Sequence, residues 1–192
     1  MLVFLIGLIL FLGAHSSRIV ADDWRGARIA QMGEGAWKGL YTLVSLVGLV
    51  LLAWGYGQTR ATPIDLWQPP IFMRHIASLL TLPAFVLMAA AYVPGTRIRA
   101  RLGHPMVLGV KLWALAHLLS NGRLADILLF GSFLVWAVAC FRAARARDRR
   151  DGVVRPVGPV SRDAIAVAVG VAGWVVFALF LHGWLIGVAP FG

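Results

Sequence analysis

Six apolar runs separated by polar breaks organise the chain: residues 1–20, 38–57, 72–93, 104–120, 124–143 and 162–186. Five approach or exceed the roughly 20 residues a helix needs to cross a hydrocarbon core of about 30 Å, and the fourth is the shortest. Nothing between the runs is long enough to be a separate domain. The pattern therefore predicts an all-α fold, a polytopic bundle of about six transmembrane helices forming a single domain over 1–192. The first run has no basic segment before it, and its small residues lead to His15 and Arg18 rather than to a cleavage site, so it is expected to be a retained helix.

The breaks differ in charge. Arg18, Arg25, Arg28 and Lys38 fall in the first, Arg97, Arg99 and Arg101 in the third, and seven arginines between Arg142 and Arg162 in the fifth. Only Arg60, Arg74 and Arg123 fall in or beside the other two, as Arg18, Lys38, Arg142 and Arg162 stand at the edges of their runs, and Lys111 lies well inside one. Positively charged loops are poorly translocated, so six crossings with both termini extracytoplasmic and the basic loops cytoplasmic fit this asymmetry. An odd number of crossings would require the fourth run not to span.

Composition agrees with this class. The chain is 60% hydrophobic and 14% charged with a mean hydropathy of +0.81, against about 45–50% apolar and about 25% charged in soluble domains. Its formal charge of +10 sits on no soluble nucleic-acid-binding module, which leaves the anionic lipid bilayer as the partner and excludes nucleic acid. A single cysteine, Cys140, rules out an internal disulfide, a CxxC redox pair, a thiolate zinc cluster and covalent CxxCH haem attachment.

The fourth run carries the chemistry. His104-Pro105 opens it and Asn121-Gly122 closes it, in agreement with helix start and stop preferences. At about 100° per residue, His104, Leu108, Lys111 and Leu115 share one face, and Val110, Trp113, His117 and Asn121 a nearly opposite one. Neither polar stripe can be turned to lipid cheaply, so this helix is expected to be interior, with Gly103, Gly109, Ala114 and Ala116 allowing close neighbours. His15, His75 and His182 complete five histidines in a chain poor in polar residues. Imidazole serves both helix packing and metal ligation. Zinc asks for three protein ligands and a supporting carboxylate, whereas the eight acidic residues all fall in loops or near helix ends. Haem asks for one or two histidines, an apolar slot and cations for its propionates. No serine, threonine or cysteine nucleophile has a fitting base, and GEG at 33–35 is no phosphate loop.

The stretch Gly103-His104-Pro105, Lys111-Leu112-Trp113-Ala114-Leu115-Ala116-His117 and Asn121-Gly122, together with His15-Ser16, Arg18 and Gly33-Glu34 in and after the first run, resembles the NnrU family of bacterial membrane proteins, related to plant 15-cis-zeta-carotene isomerases. The resemblance covers most of the chain up to about residue 140 and implies a multi-pass protein of the bacterial inner membrane. It further implies non-covalent haem b, with His15 and His117 as iron ligands, a role in denitrification and nitric oxide metabolism, a small apolar or diatomic ligand, and a redox or denitrification partner. Arg18, Lys111 and Trp113 join the cofactor-binding set, the two cations as propionate partners. On that basis two further functions stay open, a haem-dependent cis–trans isomerase of a polyene and a non-catalytic scaffold. The plant relatives carry an arginine before His-Pro where this chain has Gly103, which sets it on the bacterial side. Depth along the helices raises alternatives: His117 lies nearly 20 Å from the cytoplasmic start of its helix while His15 stands near the cytoplasmic end of the first. His75 and His182, toward the outer side, are depth-matched to His117, and His104 is a further metal candidate.

Overall fold

The structure is a computed structural model describing residues 1–191, and it is helical throughout: α1 (Leu2–Val20), α2 (Asp22–Met32), α3 (Glu34–Thr59), α4 (Phe72–Tyr92), α5 (Arg97–Leu102), α6 (Pro105–Ser120), α7 (Leu124–Arg150), α8 (Val160–Val176), a π-helical turn (Phe177–Leu181) and α9 (His182–Ile186). All six predicted apolar runs are helices. Five, Leu2–Val20, Glu34–Thr59, Phe72–Tyr92, Leu124–Arg150 and Val160–Ile186, are long and apolar enough to cross a membrane, while Pro105–Ser120 is shorter. Their outward faces are apolar: Leu43, Val50 and Trp54 of α3 are 60%, 63% and 58% exposed. A stripe of that kind is stable against hydrocarbon and not against water.

The chain divides into two compact units, Met1–Leu66 with Arg123–Leu129, and Trp67–Gly122 with the residues from Phe130 onward. In the first, α1 and α3 form an antiparallel hairpin held by glycine. A Cβ on Gly7 would fall 2.2 Å from Leu52 N, one on Gly48 2.7 Å from Phe11 N, and one on Gly55 2.3 Å from Phe4 N. Only glycine lets the two backbones approach this closely, the small-residue packing by which helices associate in lipid. The helix α2 is absent from the sequence expectation, which had a loop between 20 and 38. Asp22 and Asp23 in its first turn complement the positive end of the helix dipole, and Gly33, at φ 83°, ends it. Trp24 of α2 packs edge-on to Trp37 at 5.8 Å, and Glu34 pairs with Lys38 at 2.9 Å, so α3 starts four residues before its apolar run.

In the second unit α4 packs on both α6 and α8. Gly109 of α6 places its open side 2.9 Å from the Ala84 carbonyl of α4, and Gly170 of α8 lies against the Val86 backbone. Pro83 interrupts α4 next to Thr81, whose Oγ1 donates to the Ser78 carbonyl at 3.1 Å and accepts the Trp174 indole N–H of α8 at 3.0 Å. Fully buried Thr96 caps α5, accepting from Arg99 N at 3.1 Å and donating to the Ala90 carbonyl at 3.2 Å. The helix α7 runs to Arg150, past the expected end at 143. The stretch 142–150 contains only arginine, alanine and one aspartate, good helix formers on balance, and the chain turns only at Gly152, φ 61°.

Candidate functional site

The two polar stripes of α6 meet α7 in the second unit. His117 stacks on Phe130 at 4.5 Å between ring centroids with 26° between planes, and Trp113 stands edge-on to Phe130 and Phe133 at 5.0 and 5.5 Å. Phe130 is buried at 6% exposure. His117 Nδ1 lies 2.8 Å from the Trp113 carbonyl oxygen one turn back. A carbonyl only accepts, so Nδ1 carries the proton, and in the neutral ring the lone pair belongs to Nε2. Donation of one ring N–H to a backbone carbonyl is the usual outer partner of a metal-ligating histidine: it fixes the tautomer and holds the ring.

In the first unit His15 has the same arrangement. Its Nδ1 donates to the Phe11 carbonyl at 2.7 Å, and its ring lies 4.3 Å from Phe11 and 5.3 Å from Tyr41 of α3. Arg18, one turn on, is exposed and lies 3.8 Å from Asp22. His182 donates from Nδ1 to the Val188 carbonyl at 2.6 Å, and His75 is exposed near the start of α4.

His104 is of the opposite kind. Its Nε2–H donates to Asp148 Oδ2 at 2.9 Å, and Arg155 Nη2 donates to the same carboxylate at 2.9–3.0 Å. Asp148 lies beyond the apolar part of α7, in the arginine-rich last turns. Burial works against its ionisation, but the Arg155 hydrogen bond and the His104 contact outweigh it and hold its carboxyl below the ordinary range. Lys111 is tied to this side as well: Nζ sits 4.1 Å over the Phe141 ring, which His104 meets edge-on at 6.3 Å. Of the residues expected to bind a cofactor, Trp113 and His117 come together in one aromatic cluster, Lys111 faces Phe141 and His104, and His15 and Arg18 belong to the first unit.

A polar pair not expected from the sequence closes the first unit. The Tyr56 hydroxyl donates to Asp126, which is 5% exposed, beside the Asp65–Arg123 pair at 3.5 Å. Tyr56 and Asp126 border a small cleft with Arg60, Thr62 and Arg123. From the sequence Asp126 stands only at a helix start, and no spacing links it to a tyrosine 70 residues earlier. Phe130 and Phe133, by contrast, carry a legible signal, two aromatics at i, i+3 on one face.

Among the described residues no three histidine, cysteine, aspartate or glutamate side chains gather into a metal-binding group. The rings of His15, His104, His117 and His182 each lie beside an aromatic side chain. Fold and site together define a helical membrane protein with several helices long and apolar enough to cross a bilayer, in which α6 carries His104, Lys111 and His117. The chain belongs to the NnrU family: the family model described as NnrU protein matches residues 3–190. Comparison with curated proteins gave no match, and comparison with solved structures gave none.

Proposed function

We propose that this NnrU-family protein binds haem b non-covalently, with His117 as an iron ligand, and acts in nitrogen-oxide metabolism at the bacterial inner membrane. One observation carries the reading. The Nδ1–H of His117 is committed to the Trp113 carbonyl, which makes Nε2 the ring's metal donor, and Trp113 and Phe130 flank the ring, with Phe133 behind Trp113. His15 has the same tautomer in the other unit and is the second ligand that the family resemblance implies.

When bound, haem supplies an iron that exchanges electrons or takes a diatomic ligand. The chain's own residues fix the imidazole tautomer, orient the ring and provide an apolar surround that excludes water. Lys111 and Arg18 are the cations assigned to the propionates. The nitrogen-oxide role rests on family membership. In this reading the arginine-rich loops face the cytoplasm, and Pro105–Ser120 completes the sixth crossing.

The test is an absorption spectrum of detergent-purified protein supplied with haem, oxidised and reduced, with and without nitric oxide. A Soret band that is lost or shifted in His117→Ala, and moved by nitric oxide in the wild type, is the expected result. His15→Ala, measured in parallel, decides the second ligand. A wild-type protein that takes up no haem overturns the proposal and leaves the histidines as helix-packing groups, the scaffold reading.

A further inference from the structure

We infer that Arg145 and Arg155, converging on Gly103, form a binding site for the phosphate of an anionic phospholipid. Nothing in this inference depends on haem.

At the end of the second unit that carries α5, the chain after α7 straps back over the turn before α6. Gly158 packs against the Gly95 backbone, with only 2.2 Å between the Gly95 carbonyl oxygen and the place of a Gly158 Cβ. Arg97 Nε donates to the Gly158 carbonyl at 3.1 Å, and Ile98 N donates to Asp163 at 3.1 Å. This strap fixes Arg155 above Gly103. Gly103 itself has φ 81°, and a Cβ there would lie 3.0 Å from Arg145 Nη1 and 3.6 Å from Arg155 Nη1. Two guanidinium groups thus meet over a backbone position that presents no side chain.

The charges at this point do not balance. Residues 97–101 and 142–162 hold ten arginines, and only Asp148, Asp151 and Asp163 lie close to them in sequence. Asp148 is taken by His104 and Arg155, Asp151 by Arg150, and Asp163 by the Ile98 amide. Arg145 makes no ion pair or hydrogen bond among the described residues and is only half-exposed. A guanidinium held beside a second one, with one shared carboxylate already committed, calls for an anion with at least two acceptor oxygens.

Depth selects the source of that anion. The apolar part of α7 ends at Phe141, and Arg145 is one turn further, about 6 Å along the axis. The polar headgroup zone is of that thickness, roughly 5–8 Å per leaflet. Arg145 therefore stands at the level of lipid phosphates, where basic pockets beside membrane helices recognise anionic headgroups.

The experiment uses the full chain in an uncharged detergent and follows thermal unfolding against added dioctanoyl phosphatidylglycerol, with dioctanoyl phosphatidylcholine and inorganic phosphate as separate arms. The expected result is saturable protection by phosphatidylglycerol that Arg145→Gln weakens about tenfold, the loss of a charge-assisted bond, while Arg145→Lys, which keeps charge but loses the fork, falls between. Arg142→Gln removes the same charge from an exposed position on the same helix and shifts the midpoint less than twofold. Equal losses in the 145 and 142 variants, or no loss in either, overturn the site. Protection by inorganic phosphate or phosphatidylcholine equal to that by phosphatidylglycerol overturns the lipid assignment.

Discussion

Replacing Gly55 by alanine tests whether glycine sets the approach of α1 and α3. An alanine Cβ at 55 would lie 2.3 Å from Phe4 N, 2.5 Å from Phe4 Cα and 2.8 Å from the Val3 carbonyl carbon. All three are backbone atoms, so no rotamer change relieves the clash. Ordinary contact begins near 3.4 Å, and α1 must retreat by about 1 Å, which also loosens Gly48 and Gly7, the next contacts along the seam. Overpacking costs about 1–3 kcal/mol, and this rigid case falls at the upper end. Alanine returns about 0.5–1 kcal/mol through its better helix propensity. The net loss is about 2 kcal/mol, roughly thirtyfold in the unfolding equilibrium. Gly39 is the control, since nothing lies within 4 Å of its Cβ position. There the propensity term acts alone, and Gly39→Ala is expected to stabilise by about 0.5–1 kcal/mol. Reversible unfolding in mixed detergent–SDS micelles, followed by circular dichroism, reads both variants. If the two substitutions shift the midpoint in the same direction by similar amounts, the close-approach reasoning is wrong.

Tyr56→Phe removes the hydroxyl that serves nearly buried Asp126 and is expected to destabilise by about 1.5–3 kcal/mol, the range for hydrogen bonds to charged groups; in a double-mutant cycle with Asp126→Asn the two losses should be strongly less than additive. Asp148 contributes a pH-dependent term: its folded pKa is depressed, so the stabilisation is fully present above the ordinary aspartate value near 4 and is lost as pH falls through the lower folded value. The stability gap between wild type and Asp148→Asn should close as pH falls below about 4, and a gap that widens there contradicts the assignment of the His104–Asp148–Arg155 cluster.

The helical architecture was legible because hydrocarbon imposes a simple requirement, a long apolar helix per crossing, and the six runs meet it in outline. The interiors of α1, α3, α4 and α6 lie where hydropathy puts them, and α6 begins and ends at the Pro105 and Asn121 signals. The polar additions were harder to see. The short helix α2 is too polar for hydropathy to mark it, and the last turns of α7 are helical through propensity alone, so both read as loops. The site was legible in part. Facing stripes on α6 followed from helical period, and their partners Phe130, Phe133, Phe141 and Asp148 all come from α7. Period places residues on a face but does not say which neighbour the face meets. Asp126 shows the limit most plainly: its partner Tyr56 is fixed by tertiary packing, which no local pattern encodes.

The two stripes of α6 also answer a physical question about a lysine and two histidines in so apolar a segment. Each polar group is met by a different device. His104 reaches a carboxylate beyond the apolar part of α7; Lys111, one helical face with it, spends its charge on an aromatic ring, an interaction worth up to about 2 kcal/mol once water is excluded; His117 satisfies its N–H within its own helix. The local hydrogen bond of His117 accounts for its Nδ1–H and places the lone pair of the neutral ring on Nε2. His15 repeats that pattern on α1, and His104 inverts it. The tautomer sets His15, His117 and His182 apart from His104, and the haem proposal is tied to His117 because Trp113 and Phe130 also flank its ring.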